Sequence, residues 1–185
     1  MKVQRTNSRE KILAAAADVA RETGPGSLSL DAVAARAGVS KGGLLYNFPT
    51  KAKLLQALVE DYLYDFDQSL EEAASNSDGK ESLLSLYVRL SARECEENVS
   101  CPSWIFSAVA EDPDFLEPIK IFRRQLFNRL KSETPDLKVL LVTYLAIEGL
   151  RSMNLFDSKV LSGEERKLLV SSLISIAESA GPNLQ

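Results

Sequence analysis

Apolar residues recur at three- and four-residue spacing along almost the whole chain, and strict alternation is nearly absent. The pattern predicts an all-α protein. Ile12, Leu13, Ala16, Val19 and Ala20 form a first stripe, with Asn7 placed to cap it, Glu10 three residues on, and Gly24-Pro25-Gly26 to end it. Ser29 is expected to cap a short second helix carrying Leu30, Val33, Ala34 and Ala37 on one face. Gly38 stops it, because left-handed backbone costs glycine little. Ser40 caps a third helix, Lys41 to about Asn47, and Pro49 limits its extension. Thr50 opens a long fourth helix with Leu54, Leu55, Leu58, Val59, Tyr62 and Phe66 on its buried side. Turn-rich stretches then separate helices expected near 80–97, 103–111, 117–131, 136–155 and 163–179, about nine in total. Residues 181–185 read as a frayed tail.

Composition changes this picture in two ways. First, 45% of the 185 residues are apolar, enough to bury a sizeable core. The longest nearly apolar run, Val139 to Ile147, falls far short of the ~20 residues a bilayer-spanning helix needs. With a polar N-terminus lacking the apolar centre of a secretory signal, the chain reads as cytoplasmic, without a membrane partner. Second, charge is segregated. Residues 1–55 carry nine Lys/Arg and four Asp/Glu, whereas the remainder carries thirteen and twenty-two. A basic head on an acidic body fits a small nucleic-acid-binding module joined to a part that does not touch DNA, with a boundary expected between residues 52 and 53. Chance segregation of surface charge is the plainer alternative, and only a motif decides between them.

There is no histidine, which removes Ser/His/Asp and Cys/His relays and every histidine-containing metal site. Cys95 and Cys101 are too few for a tetrahedral thiolate site, and Glu94, Glu96 and Glu97 disfavour a reactive thiolate at Cys95. No metal, cofactor or catalytic constellation is expected.

The segment Ser29 to Phe48 supplies the motif: two short helices joined by Gly38-Val39, with small and apolar residues where they meet, is what a helix-turn-helix needs. Adjacent Gly42 and Gly43 each cost about 1 kcal/mol relative to alanine inside a helix. Either tight packing within the protein or close approach to a DNA backbone would account for keeping them. The strings D-A-V-A-A-R-A-G-V-S-K-G (Asp31 to Gly42) and L-Y-N-F-P-T-K (Leu45 to Lys51), after a first helix ending at Gly24, closely resemble the TetR family of transcription regulators. The resemblance covers about residues 8–60; the last 120 or so are similar only in helix count and length.

That resemblance implies an N-terminal three-helix DNA-binding domain and a larger helical domain for ligand binding and dimerisation. It places Ser40, Lys41, Gly42 and Gly43 at the groove-facing start of the recognition helix, with Asn47 at its end. It puts the Tyr46 hydroxyl and Lys51 on phosphates, and offers the backbone N–H groups of Ser29 and Leu30 to another. Arg5 and Arg9 are further candidates for backbone contact, and ordinary solvated charge stays open for each basic residue. Two positions depart from the family pattern. Leu45 stands where an aromatic residue is common, and is expected to pack inside the module. Lys53 replaces the acid that would complete a capping box with Thr50, opposes the helix dipole by about 0.5 kcal/mol, and becomes a candidate phosphate contact.

In the body, the 137–156 stretch is apolar nearly all round, and the next helix interleaves leucines with Ser171, Ser172 and Ser175. Packed against a two-fold copy, this pair would give a four-helix homodimer interface including Leu145, Leu150, Leu169, Leu173 and Ile176. Two recognition helices about 34 Å apart would then read a palindromic operator in double-stranded DNA. Tyr62, Phe66, Tyr87, Trp104, Phe106 and Arg123 are candidate ligand-facing groups, although ordinary core accounts for the apolar ones equally. The function expected is a homodimeric repressor released by a small, mainly apolar effector through displacement of the fourth helix. An activator of the same fold, or a helical small-molecule carrier without DNA binding, remains the alternative; an enzyme has no supporting residues.

Overall fold

In the computed structural model, residues 8–23, 28–96, 113–155 and 160–179 are described. Among them the chain is helical and contains no strand. The helices are α1 (Ser8–Thr23), α2 (Leu30–Ala37), α3 (Lys41–Asn47), α4 (Lys51–Asn76), α5 (Leu83–Glu96), α6 (Glu117–Glu133), α7 (Leu137–Leu155) and α8 (Gly163–Ser179), with a short 3-10 turn at Pro113–Leu116. The helix expected at 103–111 and the cap expected at Asn7 lie outside the described residues.

Helix ends follow local chemistry. Gly38 closes α2 in the left-handed region (φ 66°), its own N–H and that of Val39 returning to the carbonyls of Ala35 and Ala34. Ser40 Oγ accepts the Gly43 N–H at 3.0 Å, and Thr50 Oγ1 accepts the Lys53 N–H at 3.1 Å. Before α5, Asp78 and Gly79 both have positive φ, and Ser82 accepts the Ser85 N–H. These two features delay the start of α5 to Leu83, three residues beyond the expected position. Asp136 caps α7, and Ser162 with Glu165 forms a reciprocal capping box at α8. Ser29 departs from expectation. It occupies the N-cap position of α2 with extended backbone, but its side chain makes no capping hydrogen bond.

The contacts divide the chain into two compact units: Met1–Leu63 with Pro102–Ile119, and Tyr64–Cys101 with Lys120–Gln185. In the first, α1, α2 and α3 pack on one another. Its buried residues include Ile12, Ala16, Val33 and Leu44 from those helices, with Phe48 and, from α4, Leu54 and Leu55. In the second, α5, α7 and α8 pack together. Leu70, Leu84, Tyr87, Leu130, Leu140, Ile147 and Leu150 are essentially sealed from solvent there. Each such leucine or isoleucine contributes about 1.5–3 kcal/mol by burial, so the packing, not helix propensity, holds both units.

Candidate functional site

Helices α2 and α3 form the turn between two helices that the motif required. Lys41 Nζ lies 3.0 Å from the Asp31 carboxylate, which ties the first turn of α3 to the first turn of α2. Gly42 and Tyr46 are four residues apart, hence on one face of α3, and both are exposed; the Tyr46 ring is 89% exposed. A Cβ at Gly42 would meet nothing closer than Ser40 Oγ at 3.9 Å, an ordinary contact, while one at Gly43 would come within 3.3 Å of the same oxygen. Packing within the protein therefore gives no reason for Gly42, and only the capping serine crowds Gly43.

The remaining head residues sort clearly. Ser29 is exposed and Leu30 half-buried. Asn47 donates its amide to the Gly43 carbonyl at 2.8 Å, so its NH2 group is engaged with its own helix. Lys53 donates to Gln56 Oε1 at 2.9 Å, and Lys51 is half-buried. Leu45 is on the surface; Leu44 is the residue that packs inside. That corrects the expectation for Leu45, because α3 turns only one of its two leucines toward α1 and α2. Arg9 holds its guanidinium over the Phe48 ring at 5.5 Å, and Arg5 lies outside the described residues. Of the basic residues, Arg21, Arg36 and Lys41 are paired with Asp18, Glu22 and Asp31. Among the described residues no carboxylate is bonded to Lys51 or Lys53, so part of the head's positive surplus lies at the start of α4.

In the body, Phe66, Tyr87 and Arg123 come together around a carboxylate that sequence reasoning missed. Tyr87 is wholly buried and donates its hydroxyl to Glu148 at 3.3 Å; burial pushes its phenol well above the usual range, so it stays a donor. Glu148 also takes Arg123 at 2.9 Å and Arg151 at 3.0 Å. Arg151 reaches Ser91 and Glu94 from α5 as well, with its guanidinium 4.9 Å from the Phe66 centroid. Tyr144 stacks on Tyr87 at 5.7 Å, and Phe127 meets Tyr144 edge-on at 5.1 Å. Two guanidinium groups and two carboxylates thus balance within an aromatic surround. The signal was present: Glu148 and Arg151 interrupt an otherwise apolar run. Of the other predicted ligand-facing residues, Tyr62 is half-buried and belongs to the first unit, while Trp104 and Phe106 lie outside the described residues.

On the outer side of α6 and α7 an open cleft of about 400 Å³ is lined by Lys120, Arg123, Arg124, Phe127, Leu141, Tyr144 and Leu145. The predicted interface residues divide. Leu145 is 65% exposed on α7 and Ile176 38% exposed on α8, with Leu169 half-buried. Leu150 and Leu173 are enclosed in the core of their own unit, so they support the helix pair from behind and offer no surface. Val142 and Leu168 are exposed in addition. Among the described residues no group of three or more Cys, Asp or Glu is placed to hold a metal ion, and no helix is long and apolar enough to cross a membrane.

Comparison with known proteins agrees with this geometry. No curated protein sequence matches the chain. Among solved structures, the multidrug binding protein EbrR complexed with imidazole superposes with a TM-score of 0.68 at 19% identity, over 92% of this chain and 95% of that one. EbrR complexed with malachite green gives 0.66 at 19%, over 94% and 98%. A transcriptional regulator from Streptomyces coelicolor A3(2), SCO7518, gives 0.63 at 20%, over 92% and 98%. These likenesses establish a shared fold. The description "Bacterial regulatory proteins, tetR family" matches residues 12–58, and "Tetracyclin repressor-like, C-terminal domain" matches residues 81–178. With both parts of the chain so matched, the second over more than half its length, the protein belongs to the TetR family of transcriptional regulators.

Proposed function

We propose that this protein is a cytoplasmic homodimeric repressor that binds a palindromic operator through α2 and α3 and leaves it when a small, mainly apolar effector occupies the body. One observation carries the DNA part: α3 presents bare Gly42 and the exposed ring of Tyr46 on one face, for which the protein's own packing gives no reason. In this reading Gly42 lets the backbone approach the groove, Tyr46 and Lys51 bind phosphates, and Ser29, without a capping bond to make, directs its hydroxyl and N–H to a third. The outward faces of α7 and α8, with Val142, Leu145, Leu168 and Ile176, pair with their two-fold copies and set the half-site spacing. The charge-balanced aromatic cluster around Glu148 supports ligand response, and Phe66 within it sits on α4, the helix that begins at Lys51. EbrR, a protein of the same fold, was crystallised with malachite green and with imidazole.

Duplex selection with the purified protein, followed by affinity measurements on the winning sequence, tests the reading. Tyr46→Phe removes one hydrogen bond to a charged acceptor, about 1.5–3 kcal/mol, and should weaken binding at least tenfold without changing the melting temperature. Lys51→Ala should weaken binding and reduce the salt dependence by about one phosphate's worth. If both variants bind as tightly as the parent, or no palindrome is enriched, the assignment fails.

A further inference from the structure

The cleft between α6 and α7 has a chemistry of its own. Its floor is apolar: Phe127 and Tyr144 lie edge-to-face at 5.1 Å, flanked by Leu145. Its rim carries the adjacent Arg123 and Arg124, with Lys120 one turn earlier on α6. Arg123 faces two ways. Its side chain is 48% exposed at the cleft, yet it bonds Glu148 at 2.9 Å. Glu148 is held independently by Arg151 and Tyr87, so it keeps partners if Arg123 turns away. Arg124 lies over the Phe127 ring at 5.8 Å, and no carboxylate is bonded to it among the described residues. With Arg123 counted in the balanced Glu148 cluster, Arg124 is the cation at the mouth of the cleft to which no carboxylate of the described residues is bonded.

We propose that this cleft binds an amphiphilic organic anion, a carboxylate carried on a flat apolar body of one or two rings. The rings lie on Phe127 and Tyr144, and the carboxylate is received by Arg124 and by Arg123. A volume of about 400 Å³ suits a ligand of that size. Guanidinium is the preferred donor for such a group, because its planar fork matches a carboxylate bidentately. Drawing Arg123 from Glu148 leaves Glu148 to Arg151 and Tyr87, which touch Phe66 on α4; occupancy of the cleft is thereby registered on that helix. The proposal rests on reading the body as ligand-binding and names the class of effector it takes.

Three probes sharing one ring system separate the possibilities: 2-naphthoate, 2-naphthalenemethanol and 2-naphthylmethylammonium, titrated calorimetrically into the full-length protein. Naphthoate should bind about tenfold or more tighter than the alcohol, and the ammonium most weakly, with added salt weakening only the carboxylate. Arg124→Ala should remove the preference for the carboxylate and leave alcohol binding unchanged, while Arg124→Lys retains part of it. Arg124 is exposed, so both variants should fold. Equal binding of all three, a preference for the ammonium, or no binding of any probe overturns the proposal. A preference for the ammonium would assign recognition to the Glu148 carboxylate. Operator affinity without probe, measured on the same preparation, keeps the two readings apart. Lost operator binding with the anion preference intact sinks the regulator, and the converse sinks only the cleft.

Discussion

Gly42 and Gly43 stand side by side in a seven-residue helix, where each costs about 1 kcal/mol relative to alanine. The sequence left packing and DNA approach as rival reasons, and a Cβ at Gly42 would meet only Ser40 Oγ, at an ordinary 3.9 Å, so packing does not require that glycine. Gly42→Ala should raise stability by about 1 kcal/mol in urea unfolding while weakening operator binding. An alanine variant that gains stability and binds unchanged would show that nothing approaches there. At Cys95 the structure adds a cause that the sequence did not show. Neighbouring glutamates were expected to suppress the thiolate, but burial is the larger cause raising the thiol's pKa, with Arg151 opposing and Glu94 adding. In native protein at pH 8, Cys95 should resist a thiol reagent that labels it readily in urea, as peptide mass mapping would reveal; rapid native labelling would contradict its burial.

At the scale of elements, helix ends were legible because they are written locally: Gly38, Ser40, Thr50 and the Ser162–Glu165 pair all act within a few residues of themselves. Ser29 holds the cap position of α2 but makes no side-chain capping bond. Contacts between elements were not legible. Arg36 reaches from α2 to Glu22 on α1, fourteen positions away, and Arg151 finds Ser91 and Glu94 about sixty positions back, separations no periodicity records. The hydrogen bonds from Arg36 hold the Glu22 carboxyl below its ordinary range, against a smaller opposing effect of burial. A depressed carboxyl stabilises the folded state above its unfolded value, near pH 4.3, and that support is lost as pH falls through the folded value. Glu22→Gln should therefore flatten the fall in stability between about pH 5 and about pH 3. An unchanged acid limb in the variant would mean the pair is too solvated to matter.

For the whole molecule, the proposed homodimer assigns different duties to the outward and inward faces of α7 and α8, and paired variants test that assignment. Leu145→Glu places charge on an exposed position and should give a folded monomer by sedimentation, with operator affinity lost. Leu150→Ala opens a cavity in the core and should cost about 2–5 kcal/mol of stability while leaving the association state of the folded protein alone. A dimeric Leu145→Glu would move the interface elsewhere. The body's charged cluster has a further consequence over evolutionary time. Arg151 pairs with both Glu94 and Glu148 from its place between them, so loss of one of these three leaves charge without its counter-charge in a half-buried site. Neutral drift at these positions is blocked one step at a time and open only to paired exchange, so homologous sequences should vary there in concert while the leucines around them change singly.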